Sequence, residues 1–278
     1  MLFIFEHTGL YSHALALYFT EKNIAFALVS GLEVRRSLGI SRGKDDKTDA
    51  KKIARYGYRL KEEIEPYRMP SKALIVLKNL LTLRERLVKQ NSGFKVTLNE
   101  QKRVFDQKEN KILFQTQERM IHYLSKQIEA VELETLRIIR SSEQLSEMYD
   151  LIITVKGVGR QIALFMIVYT DAFTKFKNAR KFASYCGIAP FPNSSGTSLR
   201  GKTRVSPLAN KRIKSLLEMG ARSAIQFSPE MRMFYQKRVE KGKNKSSTLN
   251  IVRNKLVARI FAVIERKTPY VDILKYAA

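Results

Sequence analysis

The chain opens with L-F-I-F-E-H-T-G (residues 2–9), an apolar run that predicts a buried strand with Glu6 at its carboxyl end. Apolar residues then recur at helical spacing from Ser12 to Lys22, and residues 25–29 form a second apolar run. Strand, helix and strand in this order predict a βαβ unit with two parallel strands. Ligands of such sheets bind at the carboxyl ends of the strands, so the sequence places Glu6 at a candidate site.

Two aspartates follow where a helix is expected to begin. Asp46 and Asp49 are three residues apart and share one face if that helix starts near Asp45. Together with Glu6 they offer the oxygen ligands that suit Mg²⁺, and paired Mg²⁺ ions activate a hydroxyl for attack on phosphorus. Aspartate at a helix start is also an ordinary cap, and from these residues alone capping is the favoured interpretation.

The charge of the chain indicates a polyanionic partner. The 278 residues include 51 Lys and Arg against 26 Asp and Glu, a formal charge of +25. From Leu151 onward there are 25 basic and 6 acidic residues, so the C-terminal half is the expected nucleic-acid surface. The single cysteine, Cys186, excludes an internal disulfide and a zinc site built from cysteines. We expect a cytoplasmic protein without a membrane segment.

The middle of the chain has the periodicity of long helices. Apolar residues recur at spacings of three, four and seven between residues 74 and 88 and again between residues 121 and 138. This pattern predicts two long helices that fold back on each other or pair with another chain, and it does not separate these alternatives.

The third part combines a glycine turn with basic helices. V-K-G-V-G (residues 155–159) between two apolar helices predicts a helix-hairpin-helix, in which Lys156, Gly157 and Gly159 would meet a DNA phosphate. A plain glycine turn is the alternative. Residues 206–224 predict a helix with Lys211 and Arg212 facing outward.

These patterns predict three domains. We expect an incomplete α/β domain at residues 1–68, a long helical coiled-coil region at 69–147, and a mostly α domain with a helix-hairpin-helix at 148–278.

One stretch of the third domain lacks helical or strand periodicity. Y-C-G-I-A-P-F-P-N-S-S-G-T-S-L-R-G-K (residues 185–202) contains two prolines, three glycines and several hydroxyl residues, which predicts a loop. Such a loop can hold a nucleophile that reaches a bulky phosphate substrate. Most Ser-Ser-Gly tripeptides are turns, so composition alone favours a surface connector.

Taken together, these motifs resemble a known family. The motifs are F-E-H-T-G-L-Y at 5–11, G-K-D-D-K-T-D-A-K-K-I-A at 43–54, I-T-V-K-G-V-G at 153–159, F-K-N-A-R-K-F-A-S-Y-C-G-I-A-P at 176–190, S-S-G at 194–196 and A-N-K-R-I-K-S-L-L at 209–217. Their order and spacing resemble the insertion-sequence transposases of the IS-one-ten group. Members join a RuvC-like domain of the RNase H type, bearing an Asp-Glu-Asp-Asp set, to a coiled coil and a C-terminal transposase domain with a serine.

The resemblance implies roles for particular residues. Glu6, Asp46 and Asp49 match the family's glutamate and its last two aspartates, which implies that they bind Mg²⁺. Ser195 is the candidate nucleophile, with Ser194 as the alternative.

Basic residues near Ser195 are candidates for a supporting role. Arg200, Lys202 and Lys211 would stabilise the charge that develops on the phosphate. The resemblance also implies DNA recombination, a guide RNA that bridges target and donor DNA, and a homo-oligomer, either a dimer or a tetramer.

The family's first strand, with its first aspartate, has no match here. We expect an N-terminally truncated copy, with a misplaced start codon or a strand supplied by another element as the alternatives. A metal site without one carboxylate should hold its ions less well. Two alternatives stay open. One is a catalytically decayed remnant that binds DNA or RNA without cutting it. The other is a magnesium-dependent, resolvase-like nuclease that works without the serine.

Overall fold

Two short parallel strands and the helix that joins them form the first part of the chain, which confirms the predicted βαβ unit. Phe3 pairs with Phe26 at one end of the ladder and Glu6 pairs with Val29 at the other. The computed structural model describes residues 1–39, 45–195 and 199–272, except for the side chains of Ser194, Ser195, Leu199, Arg200 and Lys202. The chain divides into two compact units, Met1–Ser71 and Lys72–Ala278.

The first unit is an α/β unit. Its elements are β1 (Phe3–Glu6), α1 (Leu10–Glu21), β2 (Phe26–Val29), α2 (Gly31–Ser37) and α3 (Asp46–Arg59). Phe19 of α1 lies against Phe26 of β2, with their ring centroids 5.7 Å apart, and these two rings with Ala16 form the small core. Helix α3 crosses β1 closely at a buried glycine, because a Cβ on Gly57 would lie 2.3 Å from Cδ1 of Ile4.

The second unit is mostly helical. Its elements are α4 (Lys72–Gln101), α5 (Lys111–Arg140), α6 (Glu143–Ile153), α7 (Arg160–Tyr169), α8 (Ala179–Tyr185), β3 (Pro190–Ser195), β4 (Leu199–Val205), α9 (Lys211–Phe227), α10 (Pro229–Glu240) and α11 (Lys245–Arg266). The predicted division of the chain into three domains, with boundaries after residues 68 and 147, stays a prediction.

The two long helices α4 and α5 run antiparallel as a hairpin within one chain. Asn91 of α4 donates a hydrogen bond to Ser125 of α5 at 2.9 Å, and near the tip the amide of Gln117 donates to Gln101 at 2.6 Å. The partners' numbers rise on one helix as they fall on the other, which is the signature of an antiparallel pair. This is the first of the two arrangements that the periodicity left open, and pairing with another chain stays a prediction.

Helix α7 lies at the centre of the second unit's core. Every residue from Ile162 to Val168 is buried, so this helix is apolar on all sides and other helices enclose it. Helices α9 and α11 contribute fully buried side chains to the same core, including Leu217 and Leu256. The hairpin helix α4 joins this core through Leu77.

The predicted loop at residues 185–202 is wrong in part, since it contains β3 and the start of β4. These strands pair antiparallel, with a register irregularity between Phe191 and Asn193. Strand pairing depends on partners across the ladder more than on composition, and proline is tolerated at a strand's first residue or at a bulge. The predicted helix start at Ser206 is also wrong, because Asn210 caps α9 by accepting a hydrogen bond from the backbone N–H of Ile213 at 3.2 Å.

Candidate functional site

The predicted carboxylates lie in the first unit, on two different elements. Glu6 is the last residue of β1 and is half-buried. Its carboxylate lies close over the backbone of Gly31, where an added Cβ would come 2.1 Å from Oε1. Any larger residue at position 31 would clash with this carboxylate, so glycine leaves the space that the Glu6 side chain occupies.

The aspartates occupy the start of α3, which begins where the sequence predicts. Asp45 is the N-cap and accepts hydrogen bonds from the backbone N–H of Thr48 at 2.8 Å and from its hydroxyl at 2.6 Å. These hydrogen bonds hold the pKa of the Asp45 carboxyl below its usual range. Asp46 and Asp49 follow inside the helix, and Asp49 pairs with Lys52 at 2.9 Å.

The three predicted metal ligands are not gathered into one group in the described part of the chain. Within residues 1–39, 45–195 and 199–272, no three His, Cys, Asp or Glu side chains come together in a group that could hold a metal ion. The cap at Asp45 and the ion pair at Asp49 are ordinary roles at a helix start. Glu6, Asp46 and Asp49 have the donor chemistry for a hard cation, but the described residues do not bring them together in one group.

The candidate nucleophile lies at the end of a strand. Ser195 is the last residue of β3, its backbone lies opposite Leu199, and Ser194 lies opposite Arg200. The side chains of Ser194, Ser195, Arg200 and Lys202 fall outside the described part of the structure. The described backbone thus establishes that both serines end the outgoing arm of a β-hairpin.

Asparagines from two helices fix the segment that leads into this hairpin. Asn250 and Asn254 of α11 both donate to the carbonyl oxygen of Ile188, at 2.8 and 3.0 Å. The amide of Asn210 donates to the hydroxyl of Tyr185 at 3.1 Å. Sequence reasoning missed these residues, although the i, i+4 spacing of Asn250 and Asn254 on an amphipathic helix is a signal for one shared polar contact.

The glycine turn between α6 and α7 packs against α9. Gly157 has a φ of +90°, and a Cβ there would lie 2.6 Å from both the carbonyl oxygen of Gly220 and the Cβ of Ala224. Packing alone therefore requires glycine at this position. Lys156 and Gly159 are exposed beside it, so that part of the turn is open to a partner.

The two basic residues at the start of α9 have different surroundings. Lys211 is exposed. Arg212 forms an ion pair with Glu85 of α4 and lies over the ring of Phe165, 4.9 Å from its centroid. Burial lowers the pKa of the Arg212 guanidinium below its usual value. Arg212 thus joins α9 to α4 and α7. A phosphate that binds Arg212 would have to share its guanidinium with Glu85.

A cleft of about 410 Å³ opens at the base of the hairpin, and sequence reasoning missed it. Its lining is Ser184, Phe191, Arg204, Val205, Ser206 and Leu208. The signal in the sequence was Phe191, a large aromatic residue inside a stretch of small polar ones.

Two transposase family models match the chain, one over its N-terminal part and one over its C-terminal part. A model for transposases of the DEDD IS110 type matches residues 1–103. A second model, described as transposase IS116/IS110/IS902 family, matches residues 149–236. The chain belongs to the IS110 family of transposases. This confirms the resemblance to the IS-one-ten group.

Individual relatives agree with this IS110-family membership. The pilin gene-inverting protein of Moraxella bovis is 28% identical over 276 residues, which cover 96% of this chain and 81% of that protein. The pilin gene-inverting protein of Moraxella lacunata matches with the same identity and coverage. A 43.6 kDa protein of insertion element IS110 from Streptomyces coelicolor is 28% identical over 117 residues, or 42% of this chain and 29% of that protein.

The IS110 family implies an enzyme that cuts and recombines DNA, and the matched regions include every predicted catalytic residue. Among the described helices, none has the length and apolarity needed to cross a membrane.

Proposed function

We propose that this chain recombines DNA by cutting strands and rejoining them through Ser195. The observation that carries the proposal is that one chain combines the acidic motif of the first family match with an S-S-G tripeptide inside the second. The position of Ser195 at the end of β3 supports it, because the end of a strand leaves more room for a bulky substrate than the middle of a ladder. The two Moraxella relatives are named for inverting a pilin gene, and inversion requires the same cutting and rejoining.

The proposed chemistry uses the serine twice. The Oγ of Ser195 attacks the phosphorus, an ester forms between serine and phosphate, and the sugar oxygen leaves as a hydroxyl with a proton. The hydroxyl of another strand then attacks the phosphoserine and releases the serine. Each step exchanges one phosphate ester for another, so no oxidant or reductant is consumed. Arg200, Lys202 and Lys211 are the candidates for stabilising the charge on the phosphate.

Glu6, Asp46 and Asp49 are proposed as the Mg²⁺ ligands of a RuvC-like domain. Their oxygen donors and the family match over residues 1–103 support this assignment. Among the described residues, these carboxylates do not come together in one metal-holding group.

The proposed partners follow from charge and exposure. The exposed Lys156 and Gly159 in the turn between α6 and α7 support a helix-hairpin-helix contact with DNA phosphates. The formal charge of +25 supports binding of both DNA and a bridging guide RNA. The hairpin of α4 and α5 is the candidate coiled coil for a dimer or tetramer.

Trapping of a covalent intermediate tests the nucleophile. The chain is incubated with DNA carrying the ends and flanks of its own element, and the products are separated on a denaturing gel. We expect a covalent protein–DNA product with the unmodified chain and with Ser194→Ala. We expect none with Ser195→Ala, because the attacking oxygen is gone. Nitrocellulose filter binding should show equal DNA affinity for all three proteins.

Substitutions at the start of α3 are the matched controls for the carboxylates. Asp49→Asn is expected to abolish strand transfer, whereas Asp45→Asn preserves it, since asparagine caps a helix as well as aspartate does. Cleavage that survives in Ser195→Ala would replace the proposal with the resolvase-like nuclease. DNA binding without a covalent product in the unmodified chain would indicate the decayed binding protein.

A further inference from the structure

An open cleft lies at the base of the hairpin formed by β3 and β4. It lies between α8, the paired bases of β3 and β4, and the segment that leads to α9. Its volume of about 410 Å³ falls within the range of roughly 300–1,000 Å³ that is typical of small-molecule clefts. It is open on one side, so a group that remains attached to a polymer can enter it.

An aromatic ring and a guanidinium stand side by side in this cleft. Phe191 of β3 lies directly opposite Arg204 of β4 in the ladder, which places both side chains on the same face of the hairpin. Phe191 is 46% exposed, and Arg204 is exposed as well. Within the described parts of the chain, Arg204 has no ion pair with an acidic side chain. The cleft thus offers a free aromatic face next to a free positive charge.

The rest of the lining suits a nucleotide. Leu208 adds an apolar surface that is 52% exposed, and Ser184 and Ser206 add hydroxyls. Arg180 and Lys181 lie one turn before Ser184 on α8, and both are exposed. Stacking on an aromatic ring beside basic side chains is how proteins bind single-stranded nucleic acid.

We propose that this cleft binds one unpaired nucleotide of the DNA strand that Ser195 cuts, with the base stacked on Phe191 and a neighbouring phosphate on Arg204. This inference rests on the proposed function, since it takes the hairpin as the element that meets the scissile strand. Phe191 and Ser195 are four residues apart on β3, roughly 13 Å at about 3.3 Å per residue. The bound nucleotide therefore lies close to, but not at, the cut phosphate.

The cleft selects an unpaired base because paired bases are stacked on one another. A base inside a duplex exposes its edges in the grooves, whereas its faces are covered. One aromatic face in an open cleft can be used only by a base that has left the stack. The cleft thereby favours DNA that is locally unpaired at the recombination site.

A tryptophan reporter tests this binding in the intact chain. The sequence contains no tryptophan, so Phe191→Trp gives the protein a single indole in the cleft. Phe227→Trp is the matched control: Phe227 is 64% exposed at the far end of α9, about 24 Å from Lys211 along the helix. Stacking on a base quenches indole fluorescence. A 16-residue oligothymidine should quench Phe191→Trp at saturation and leave Phe227→Trp nearly unchanged.

Affinity supplies a second readout. Phe191→Leu keeps an apolar side chain but removes the aromatic face, and it should weaken oligothymidine binding about 5- to 150-fold, because stacking contributes roughly 1–3 kcal/mol per base. Phe227→Leu should bind like the unmodified chain. Arg204→Gln should reduce the slope of log K against log salt by about one charge. Circular dichroism confirms that each variant is folded.

Several outcomes would overturn the inference. Stacking on Phe191 would be contradicted by equal quenching of the two reporters or by an unchanged affinity in Phe191→Leu. It would also be contradicted if a duplex of the same length quenched Phe191→Trp as strongly as the single strand does. Tighter binding of oligouridine than of oligothymidine would assign the cleft to RNA instead of DNA. If the unmodified chain binds no nucleic acid at all, the proposed function fails as well, whereas binding without quenching overturns the cleft alone.

Discussion

Arg253 shows how a basic residue can serve the fold instead of a nucleic acid. It lies on α11 and is buried, with 8% of its surface exposed. Its guanidinium pairs with Glu218 of α9 at 2.8 Å, and Arg222 binds the other oxygen of the same carboxylate at 2.9 Å. A charge that folding removes from water needs such a partner. Arg253 therefore joins α11 to α9 inside the second unit.

Removing the partner of Arg253 should destabilise the second unit. Glu218→Ala leaves the buried guanidinium without its carboxylate, and we expect the free energy of unfolding to fall by about 1–3 kcal/mol. Urea unfolding at pH 7, followed by circular dichroism at 222 nm, measures this loss. Glu265→Ala, an exposed glutamate near the end of α11, is the control and should change stability by less than about 0.5 kcal/mol. Equal stability of the two variants would contradict the assigned role of the pair.

Cys186 makes a second residue-scale prediction. The thiol is buried, and burial raises its pKa far above the usual range for cysteine. The thiolate is the reactive form, so almost none is present at pH 8 in the folded protein. We expect the folded chain to resist Ellman's reagent and the urea-unfolded chain to react fully, with one thiol per chain. Rapid reaction of the folded chain at the rate of a free thiol would show that Cys186 is accessible.

At the scale of the element, apolar periodicity predicts a helix or strand correctly where that element packs on one face. The βαβ unit follows from two apolar runs around a helical segment, and the long helices α4 and α5 follow from their apolar spacing. The hairpin of β3 and β4 has no such stripe, because its strands pair mainly with each other. Its prolines and small polar residues are typical of loops, so only the ladder reveals the strands.

The candidate site also has parts that local sequence predicts and parts that depend on tertiary contacts. The start of α3 was predictable because Asp45 caps it through Thr48, three residues away. The environment of Arg212 was not predictable, because its partner Glu85 lies on a helix more than a hundred residues earlier in the chain. The cleft beside Phe191 was hidden for the same reason, since α8 and two strands must meet to form it. Local signals identify candidate residues, and tertiary contacts decide which of them are free to bind.

At the scale of the whole molecule, arginines pair with several of the acidic side chains. Arg140 donates to Asp150 at 2.8 Å and holds the pKa of that carboxyl below its usual range. Arg222, aided by the nearby Arg253, does the same for Glu218. Each such pair stabilises the fold only while its carboxylate is ionised. Acid both breaks the pairs and increases a net charge that is already +25.

The pH dependence of unfolding follows from these signs. A carboxyl whose pKa is lower in the folded chain contributes its full stabilisation above the unfolded value, near pH 4, and loses it as the pH falls further. Burial raises the pKa of the phenols of Tyr149 and Tyr169, so their contribution is complete below about pH 10 and is lost above it. We therefore expect the urea midpoint to be level from about pH 5 to 9 and to fall on both sides. Asp150→Asn should lower the midpoint at pH 7 and make the acid limb shallower, because that variant has already lost one of the titrating pairs. A midpoint that stays constant down to pH 3 at fixed ionic strength would contradict the role given to these carboxylates.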